Sequence, residues 1–405
     1  MNSIEGNTLP VGWVLETLGT VVELENGDRG KNYPSKETLV LEGVPFINTG
    51  HLERNKISKS KITYISEEHF ERLGSGKIKV NDILFCLRGS LGKFALNESI
   101  KKGAIASSLV IIRAKEEELN CNYLSFYLNS DIALDMIKQF DNGSAQPNLS
   151  SKNLKLFLIP LPPLEEQKRI VAKIDTLFAK IDKAISLTEE SLKQAKNLLP
   201  IIIDETFDSF DAEKVDLKSV SDSIQYGYTG KTIENGKYYY LRITDIQGGI
   251  VNYQSTPHSD ILGADIEKYK LNKGDILFAR TGATAGKSYL FNDDVEAVFA
   301  SYLIRVVCNQ DIVKPSFVKW FFLSANYWKQ IFGNIVGAAQ PNFNGKKLGE
   351  LNLKIPSIEQ QELVIGYLEK VSKQTKQAQS KLEEQLAYLK QLKSSILSKA
   401  FKGEL

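Results

Sequence analysis

The sequence predicts an α+β protein in which two mixed, β-rich globules are each followed by one long helix. A heptad pattern of apolar and small residues fills the stretch 160–199, and the same pattern returns in 355–400. Equivalent positions lie 194 residues apart, as Ile170 and Val364 do, and both helices begin after a proline that glutamate soon follows. The chain is therefore a tandem repeat. We expect the two helices to pack together, because one narrow apolar stripe cannot bury a core alone.

The first long helix begins after Pro162-Pro163. Glu165 and Glu166 fall in its first turn, where carboxylates complement the helix dipole. Pro200 is expected to interrupt its end. The remaining faces are rich in charged residues, as a solvated coiled-coil helix requires. The predicted seam is Ile170, Ile174, Leu177, Ile181, Ala184, Thr188, Ser191, Ala195 and Leu198.

The second long helix repeats this register. Its predicted seam is Val364, Leu368, Val371, Thr375, Ala378, Leu382, Gln385, Leu389 and Leu392. The chain then divides into a globule at 1–160, a helix at 161–205, a globule at 206–354 and a helix at 355–405. We expect the contact between the two long helices to be formed mainly by Ile170, Ile174, Leu177, Ile181, Leu368, Val371, Leu382 and Leu389. Exposed Tyr367 and Tyr388 are candidates for docking a partner protein.

Turn residues before short apolar runs predict the strands of each globule. Segments matched between the globules are the strands 44–48 and 238–246, 77–85 and 270–278, and 106–113 and 300–307, the helices 123–129 and 317–324, and the last strands 154–160 and 351–356. A glycine-rich basic loop follows the second strand pair, at 88–93 and 280–287. The tetrapeptide Ala-Gln-Pro-Asn occurs in both globules, at 145–148 and 339–342.

Few patterns in the sequence indicate catalysis. The segment 281–288 is similar to a phosphate loop, but Gly282 and Gly286 are three residues apart where that motif needs four. We favour a loop whose glycines permit positive φ and whose basic residues face a polyanion. Asp82 and Asp275 could be metal ligands, although turn chemistry explains their position after Asn or Gly more simply. The three histidines lack metal-ligand spacing.

Composition limits the class of protein. A net charge of +2 means that any nucleic-acid surface must be local. The three cysteines are scattered and odd in number, which favours reduced thiols in a cytoplasmic protein. No apolar run approaches the roughly 18 residues of a membrane span.

The repeated globule and the Leu-Pro-Pro-Leu-Glu-Glu-Gln start of the helix at 161–167 resemble the specificity subunit of type I restriction–modification systems. The strands at 274–278, the Gln-Pro-Asn turns and the C-terminal segment 396–403 are similar to recurrent features of that family. The resemblance covers essentially the whole chain. It implies a non-catalytic subunit with two target recognition domains, each reading half of a split DNA site. It also implies two long helices, packed antiparallel, that space the domains and dock the methyltransferase subunits.

Further expectations follow from this resemblance. Globules joined by antiparallel helices are related by a pseudo-twofold axis and can engage two half-sites. The half-sites should differ, because the globules share little outside their framework. Partners would be double-stranded DNA, two modification subunits and two restriction subunits, without a membrane. S-adenosylmethionine, ATP and Mg²⁺ would be bound by the partner subunits, so no cofactor is expected in this chain.

Base reading requires polar side chains at the groove edges, and phosphate binding requires Lys, Arg or backbone N–H groups. Loop residues near strand ends are the candidates. They are Thr49, His51, Arg88, Ser90, Lys93 and Gln146 in the first globule, and Arg242, Thr244, Arg280, Thr281, Thr284, Lys287 and Gln340 in the second. The two glutamines could instead belong to a turn that holds each globule together. Two other functions stay open: a coiled-coil adaptor that binds proteins, and a nucleotide-binding enzyme that uses segment 281–288.

Overall fold

The computed structural model describes residues 9–141, 147–333 and 343–405. They form two units, which we describe separately. The first unit comprises residues up to 188 together with 384–405, and the second comprises 189–383. Each unit therefore contains one globule, the beginning of the helix that follows it and the end of the other long helix.

The strands of the first unit are β1 (Val14–Thr17), β2 (Val22–Asn26), β3 (Leu39–Val40), β4 (Val44–Ile47), β5 (Leu52–Glu53), β6 (Lys56–Ile57), β7 (Thr63–Ile65), β8 (Ile83–Cys86), β9 (Phe94–Leu96), β10 (Ala104–Ile105), β11 (Leu109–Ala114) and β12 (Leu158–Leu161). Its helices are α1 (Leu18–Val21), α2 (Glu67–Arg72), α3 (Cys121–Leu128), α4 (Asp131–Phe140), α5 (Ser151–Leu154) and the start of α6 (Leu164–Asp208).

The strands of the second unit are β13 (Lys214–Asp216), β14 (Ser221–Tyr226), β15 (Thr232–Ile233), β16 (Tyr239–Leu241), β17 (Ile246–Gln247), β18 (Ile250–Val251), β19 (His258–Ser259), β20 (Ile276–Ala279), β21 (Ser288–Leu290), β22 (Ala297–Phe299), β23 (Leu303–Cys308) and β24 (Asn352–Lys354). Its helices are α7 (Asp265–Tyr269), α8 (Pro315–Phe321), α9 (Ala325–Gly333), α10 (Gly345–Gly349) and the start of α11 (Ile358–Ala400).

Both globules have the same sheet topology. The main sheet has the order β2–β11–β8–β9 in the first unit and β14–β23–β20–β21 in the second. A smaller sheet has the order β10–β4–β7–β3, matched by β22–β16–β19–β15, and in each case its one parallel contact is β10 with β4 or β22 with β16. The tandem repeat in the sequence is thus a repeat of one fold.

Strand β8 shows why the central strands are continuous apolar runs. All of its residues are buried. Ile83 and Phe85 face the larger core beneath α3, whereas Leu84 and Cys86 face a second core on the opposite side of the sheet. Because both faces are covered, the strand has no polar positions.

A buried aspartate closes the turn before each central strand. Asp82 accepts a hydrogen bond from the Lys79 amide at 2.6 Å and two from the Arg113 guanidinium, each at 2.8 Å. Asp275 accepts one from the Asn272 amide at 2.9 Å and one from Arg305 at 3.4 Å. These contacts show the turn chemistry that the sequence favoured for both aspartates.

The turn also explains a difference between the repeats. Asn81 has a φ of +73° where the second unit has Gly274 at +96°. This left-handed conformation is open to glycine and, among other residues, to asparagine above all.

A buried glutamine joins each long helix to its own globule. Gln167 accepts a hydrogen bond from the Asn120 amide at 2.8 Å and donates to the carbonyls of Glu118 and Pro162, both at 2.9 Å. Gln361 accepts from the Lys314 amide at 2.9 Å. It donates to the carbonyls of Ile312 and Pro356 at 3.0 and 2.9 Å. The repeated glutamine of the Pro-Glu-Gln start therefore fixes the angle at which the helix leaves the globule.

The end of each long helix packs on the globule that it does not follow in the chain. Phe207, near the end of α6, contacts Phe317 with ring centroids 5.0 Å apart in the second unit. Phe401, just after α11, contacts Tyr123 at the same centroid distance in the first unit. These pairs are equivalent under the 194-residue repeat, so the end of each long helix makes an equivalent contact in the two units.

Helix α6 continues through Pro200 to Asp208, so the predicted interruption at this residue was wrong. Proline removes one backbone hydrogen bond and disfavours the helix interior. Ile203 and Phe207 are buried in the core of the second unit. Their packing holds the last turns in helical form, since tertiary contacts supply most helix stability in proteins.

The seam of α6 shifts by one residue after Thr188. Leu192 and Leu199 are half-buried, whereas Ser191 and Leu198, which were predicted at the seam, are exposed. Two consecutive spacings of four residues produce the shift, and such a stutter offsets the drift between 3.5 and 3.6 residues per turn. Thr188 itself is buried, and its hydroxyl donates to the Ala184 carbonyl at 2.8 Å.

The second helix shows the same shift after Thr375. Gln379 and Leu386 are half-buried there, while Ala378 and Gln385 are exposed. The predicted seam therefore holds up to Thr375 and moves by one residue for part of the remaining helix.

The two long helices run antiparallel within each unit. In the first unit, Arg169 donates to the Leu405 carbonyl at 2.9 Å, and Lys393 pairs with Asp182. In the second unit, Gln379 donates to the Ala195 carbonyl at 3.0 Å. Among the described residues, no helix combines the length and apolar character that a membrane span needs.

Candidate nucleic-acid interface

The glycine-rich loops after β8 and β20 share the same backbone hydrogen bond and the same glycine conformation. The Cys86 amide donates to the Lys93 carbonyl at 2.8 Å, and the Ala279 amide donates to the Lys287 carbonyl at 2.8 Å. Gly92 and Gly286, which precede these lysines, have φ values of +80° and +90°. Lys93 and Lys287 are therefore equivalent positions, and a substituted side chain at either glycine would strain the loop.

A second shared element is the 3₁₀ turn after β4 and β16, at Thr49–His51 and Ile243–Asp245. In the first unit, the Asn48 amide donates to Nδ1 of His51 at 3.1 Å, and His51 is buried. The imidazole thus closes the turn. The buried ring therefore stabilises this turn, and a role of His51 in DNA binding stays a prediction.

Arg242 closes the equivalent turn in the second unit. Its guanidinium donates to both carboxylate oxygens of Asp245, at 3.0 and 2.8 Å. The hydrogen bond to Asp245 raises the pKa of Arg242. Since its charge is already paired with Asp245, Arg242 mainly stabilises the turn and has fewer free hydrogen-bond donors for a ligand than an unpaired arginine has.

Several predicted residues of the first unit converge on one place. The Lys93 ammonium donates a hydrogen bond to the Thr49 carbonyl at 3.1 Å, and the Thr49 hydroxyl lies 3.3 Å from the Ser108 hydroxyl. Arg88 and Ser90 are exposed on the loop between them. Gln146 lies outside the described residues. The resulting surface combines one exposed arginine, one lysine and several hydroxyl groups.

In the second unit, Thr244, Thr284 and Lys287 line a cavity of about 780 Å³. Trp320 and Trp328 contribute to its apolar lining. The structure therefore places these three residues together, although they come from different loops. Gln340 lies outside the described residues.

Arg280 is held at its backbone from two directions. Its amide donates to the Tyr302 carbonyl at 3.2 Å, and its carbonyl accepts from the Phe343 amide at 2.8 Å. The guanidinium carbon lies 4.8 Å from the centre of the Tyr226 ring. Thr281 follows, and its carbonyl accepts from the Thr284 hydroxyl at 3.2 Å.

The segment 281–288 lacks the setting of a phosphate loop. That motif leads from a strand into a helix, whose N-terminal amides bind the phosphate. Here Gly282–Thr284 is a single 3₁₀ turn, and the chain continues directly into β21. Among the described residues, no group of three or more histidine, cysteine, aspartate or glutamate side chains could hold a metal ion.

Sequence reasoning missed Tyr226 and Tyr302, which flank Arg280 and are 41% and 64% exposed. Neither belongs to a motif. The available signal was positional, because an aromatic residue at the end of β14 and another before β23 stand where the first globule has Asn26 and Ser108.

Comparison with known proteins adds a family and a fold. A profile described as "Type I restriction modification DNA specificity domain" matches residues 10–194 and 211–388. The type I restriction enzyme EcoKI specificity subunit of Escherichia coli K12 is 22% identical over 98% of this chain and 90% of its own length. The EcoBI specificity subunit of Escherichia coli is 26% identical over 97% and 86%. The MjaVIII specificity subunit of Methanocaldococcus jannaschii is 25% identical over 91% and 88%.

Two solved structures share the fold. A chain from work on complex assembly and conformational transition of the type I R-M system has a TM-score of 0.79 and 22% identity, with 98% of this chain and 100% of that chain covered. The HsdS subunit from Thermoanaerobacter tengcongensis has a TM-score of 0.68 and 21% identity, with 99% of both chains covered.

Proposed function

Because the chain belongs to the type I restriction–modification DNA specificity family, we propose that it is the sequence-recognition subunit of such a complex. Each unit reads one half of a bipartite, asymmetric DNA site. The observation that supports this most directly is that the two globules share one backbone fold but have different side chains at equivalent loop positions. At equivalent loop positions the first unit has Arg88 and the second Thr281, while Lys93 and Lys287 coincide.

This arrangement suits DNA recognition on physical grounds. The equivalent lysines can bind phosphate in both units, which positions each globule without selecting a sequence. The side chains that differ between the units can then read different bases. A small net charge is compatible with this division, because a few basic residues in the loops, such as Lys93 and Lys287, are enough for local phosphate contacts.

The long helices have a separate role in the proposal. They set the unread spacer between the half-sites, and their exposed faces, including Tyr367 and Tyr388, dock the modification subunits. The complex contains two modification and two restriction subunits and acts in the cytoplasm. In this proposal the chain recognises DNA without catalysing a reaction, and the partner subunits bind S-adenosylmethionine, ATP and Mg²⁺.

The test is single-molecule methylation sequencing of DNA from cells that express the methyltransferase subunit with and without this chain. The expected result is a split motif, methylated on both strands, that appears only when the chain is present. If an active methyltransferase forms a stable complex with the chain and no motif depends on it, the proposal fails.

A protein-binding adaptor is the alternative. It predicts no DNA affinity, whereas phosphate contacts make binding by the purified complex fall steeply as salt rises. Titration of fluorescent duplex DNA at 50 and 200 mM salt separates the two functions.

A further inference from the structure

One backbone position that is equivalent in the two units has a different side chain in each, and the difference affects the groups available for DNA recognition. The Leu87 amide donates to the Ser108 carbonyl at 3.0 Å, just as Arg280 donates to Tyr302. The Leu87 carbonyl accepts from the Leu149 amide at 2.9 Å, as that of Arg280 does from Phe343. Leu87 and Arg280 are thus the same position. The first unit buries a leucine there, and the second places a guanidinium.

The surroundings of this position change with it. On strand β14, Tyr226 stands where β2 has Asn26, because each residue pairs with the equivalent residue of the next strand. The guanidinium carbon lies over the Tyr226 ring, 4.8 Å from its centre, and the Tyr226 hydroxyl accepts a hydrogen bond from the Gly345 amide at 2.8 Å. The tyrosine is therefore fixed at both ends, by its strand and by its hydroxyl, and forms a rigid support for Arg280.

The pairing of Arg280 differs from that of three other half-buried or buried arginines. Arg113, Arg242 and Arg305 each pair with a carboxylate. In the part of the chain that the structure describes, no carboxylate pairs with Arg280, and its buried Nε, like that of Arg305, has no hydrogen-bond partner. Arg280 is half-buried and contacts Tyr226 through the face of the ring, so its outer Nη donors remain available to a ligand with two acceptors side by side.

We propose that Arg280, supported by Tyr226, reads a guanine in the half-site of the second unit. Guanine presents O6 and N7 as paired acceptors in the major groove, and a planar arginine fork matches them. Arg280 is the specificity-determining residue, and Tyr226 is a positioning residue that fixes the plane of the fork. The inference rests on the proposed function, because it assumes that the second unit reads one half-site.

The test compares methylated motifs in cells that express the methyltransferase subunit with the wild-type chain, Arg280→Gln, Arg280→Lys, Tyr226→Phe or Tyr226→Leu. The wild-type motif is expected to contain a guanine in one half-site. Arg280→Gln and Arg280→Lys should lower discrimination at that base pair by roughly 10- to 100-fold and leave the other half-site unchanged. Tyr226→Phe keeps the ring and should retain the guanine, whereas Tyr226→Leu should relax it.

The unchanged half-site serves as an internal control for folding and assembly. If Arg280→Gln abolishes methylation altogether, binding of the purified complex to duplexes with single base changes decides the matter. Preference for guanine in the wild type that Arg280→Gln removes supports the inference. Uniform weakening over all sequences shows a phosphate contact and overturns it, as does an unaltered motif. A wild-type motif that depends on the chain but lacks such a guanine refutes this inference alone, whereas the absence of any motif refutes the proposed function.

Discussion

Replacing Gln167 with leucine is expected to destabilise the first unit by about 3–5 kcal/mol. The side chain is fully buried and has hydrogen bonds to one amide and two carbonyls. Leucine fills nearly the same volume, so the loss comes from the three backbone groups that it leaves without this partner. Each buried unsatisfied group costs about 1–3 kcal/mol, and the two carbonyls fall at the lower end because each keeps a second lone pair.

Urea unfolding measures this loss. Gln361→Leu is the matched variant, since Gln361 makes the same three bonds in the second unit. Gln374→Leu is the control, because this exposed helix position should change stability by no more than about 0.5 kcal/mol. Trp320 and Trp328 lie in the second unit and Trp13 lies in the first, so tryptophan fluorescence should respond more strongly to Gln361→Leu than to Gln167→Leu, and far-UV circular dichroism should respond to both. A Gln167→Leu transition that coincides with that of Gln374→Leu would refute the anchoring role.

Three further predictions follow from the packing. Phe401→Ala should lower the unfolding free energy of the first unit by about 3–5 kcal/mol, and Phe207→Ala should lower that of the second unit by a similar amount. Hydrogen exchange resolved for each unit measures these losses, and an equal loss of protection in both units after either change would contradict the prediction. Burial raises the pKa of Cys308 to about 12, so its thiol stays protonated at neutral pH. The stability that this protonated thiol contributes is present below the ordinary thiol pKa and is lost as the pH rises through 12. Maleimide labelling at pH 8, read by mass spectrometry, should therefore modify the half-buried Cys121 before Cys308, and equal rates in the folded protein would oppose this order. Matched heptad insertions in both helices, with the first within 186–190, should lengthen the unread spacer in the methylated motif and leave both half-sites unchanged, whereas an altered half-site would argue against a spacer role.

The sequence predicted those parts of the fold that depend on local pattern. The repeat, the apolar strands and the aspartate turns all follow from residues close together in the chain, and the structure contains them. Asp82 illustrates this, because the turn that it closes lies within four residues. The four-segment division of the chain stays a prediction.

Features that depend on distant contacts could not be predicted in this way. Pro200 does not end α6, because residues beyond it pack into a core that the helix pattern does not reveal. Leu192 and Leu199 replace Ser191 and Leu198 at the seam, although both sets fit a heptad, since helix drift decides between them.

The candidate site shows the same limit. Residue type and loop position suggested His51 as readily as Lys93, but only the structure shows that the imidazole closes its own turn. Tyr226 carried no local signal at all. Its role depends on a strand that is more than 50 residues from the arginine that it supports.

The central claim is that each unit reads one half-site independently. It is tested most directly by methylation sequencing of cells that express the wild-type chain or a double variant with alanine at Thr244 and Thr284. The account predicts that the variant alters or weakens recognition of one half-site and preserves the other together with the spacer. A change in both half-sites, or in neither, would contradict it.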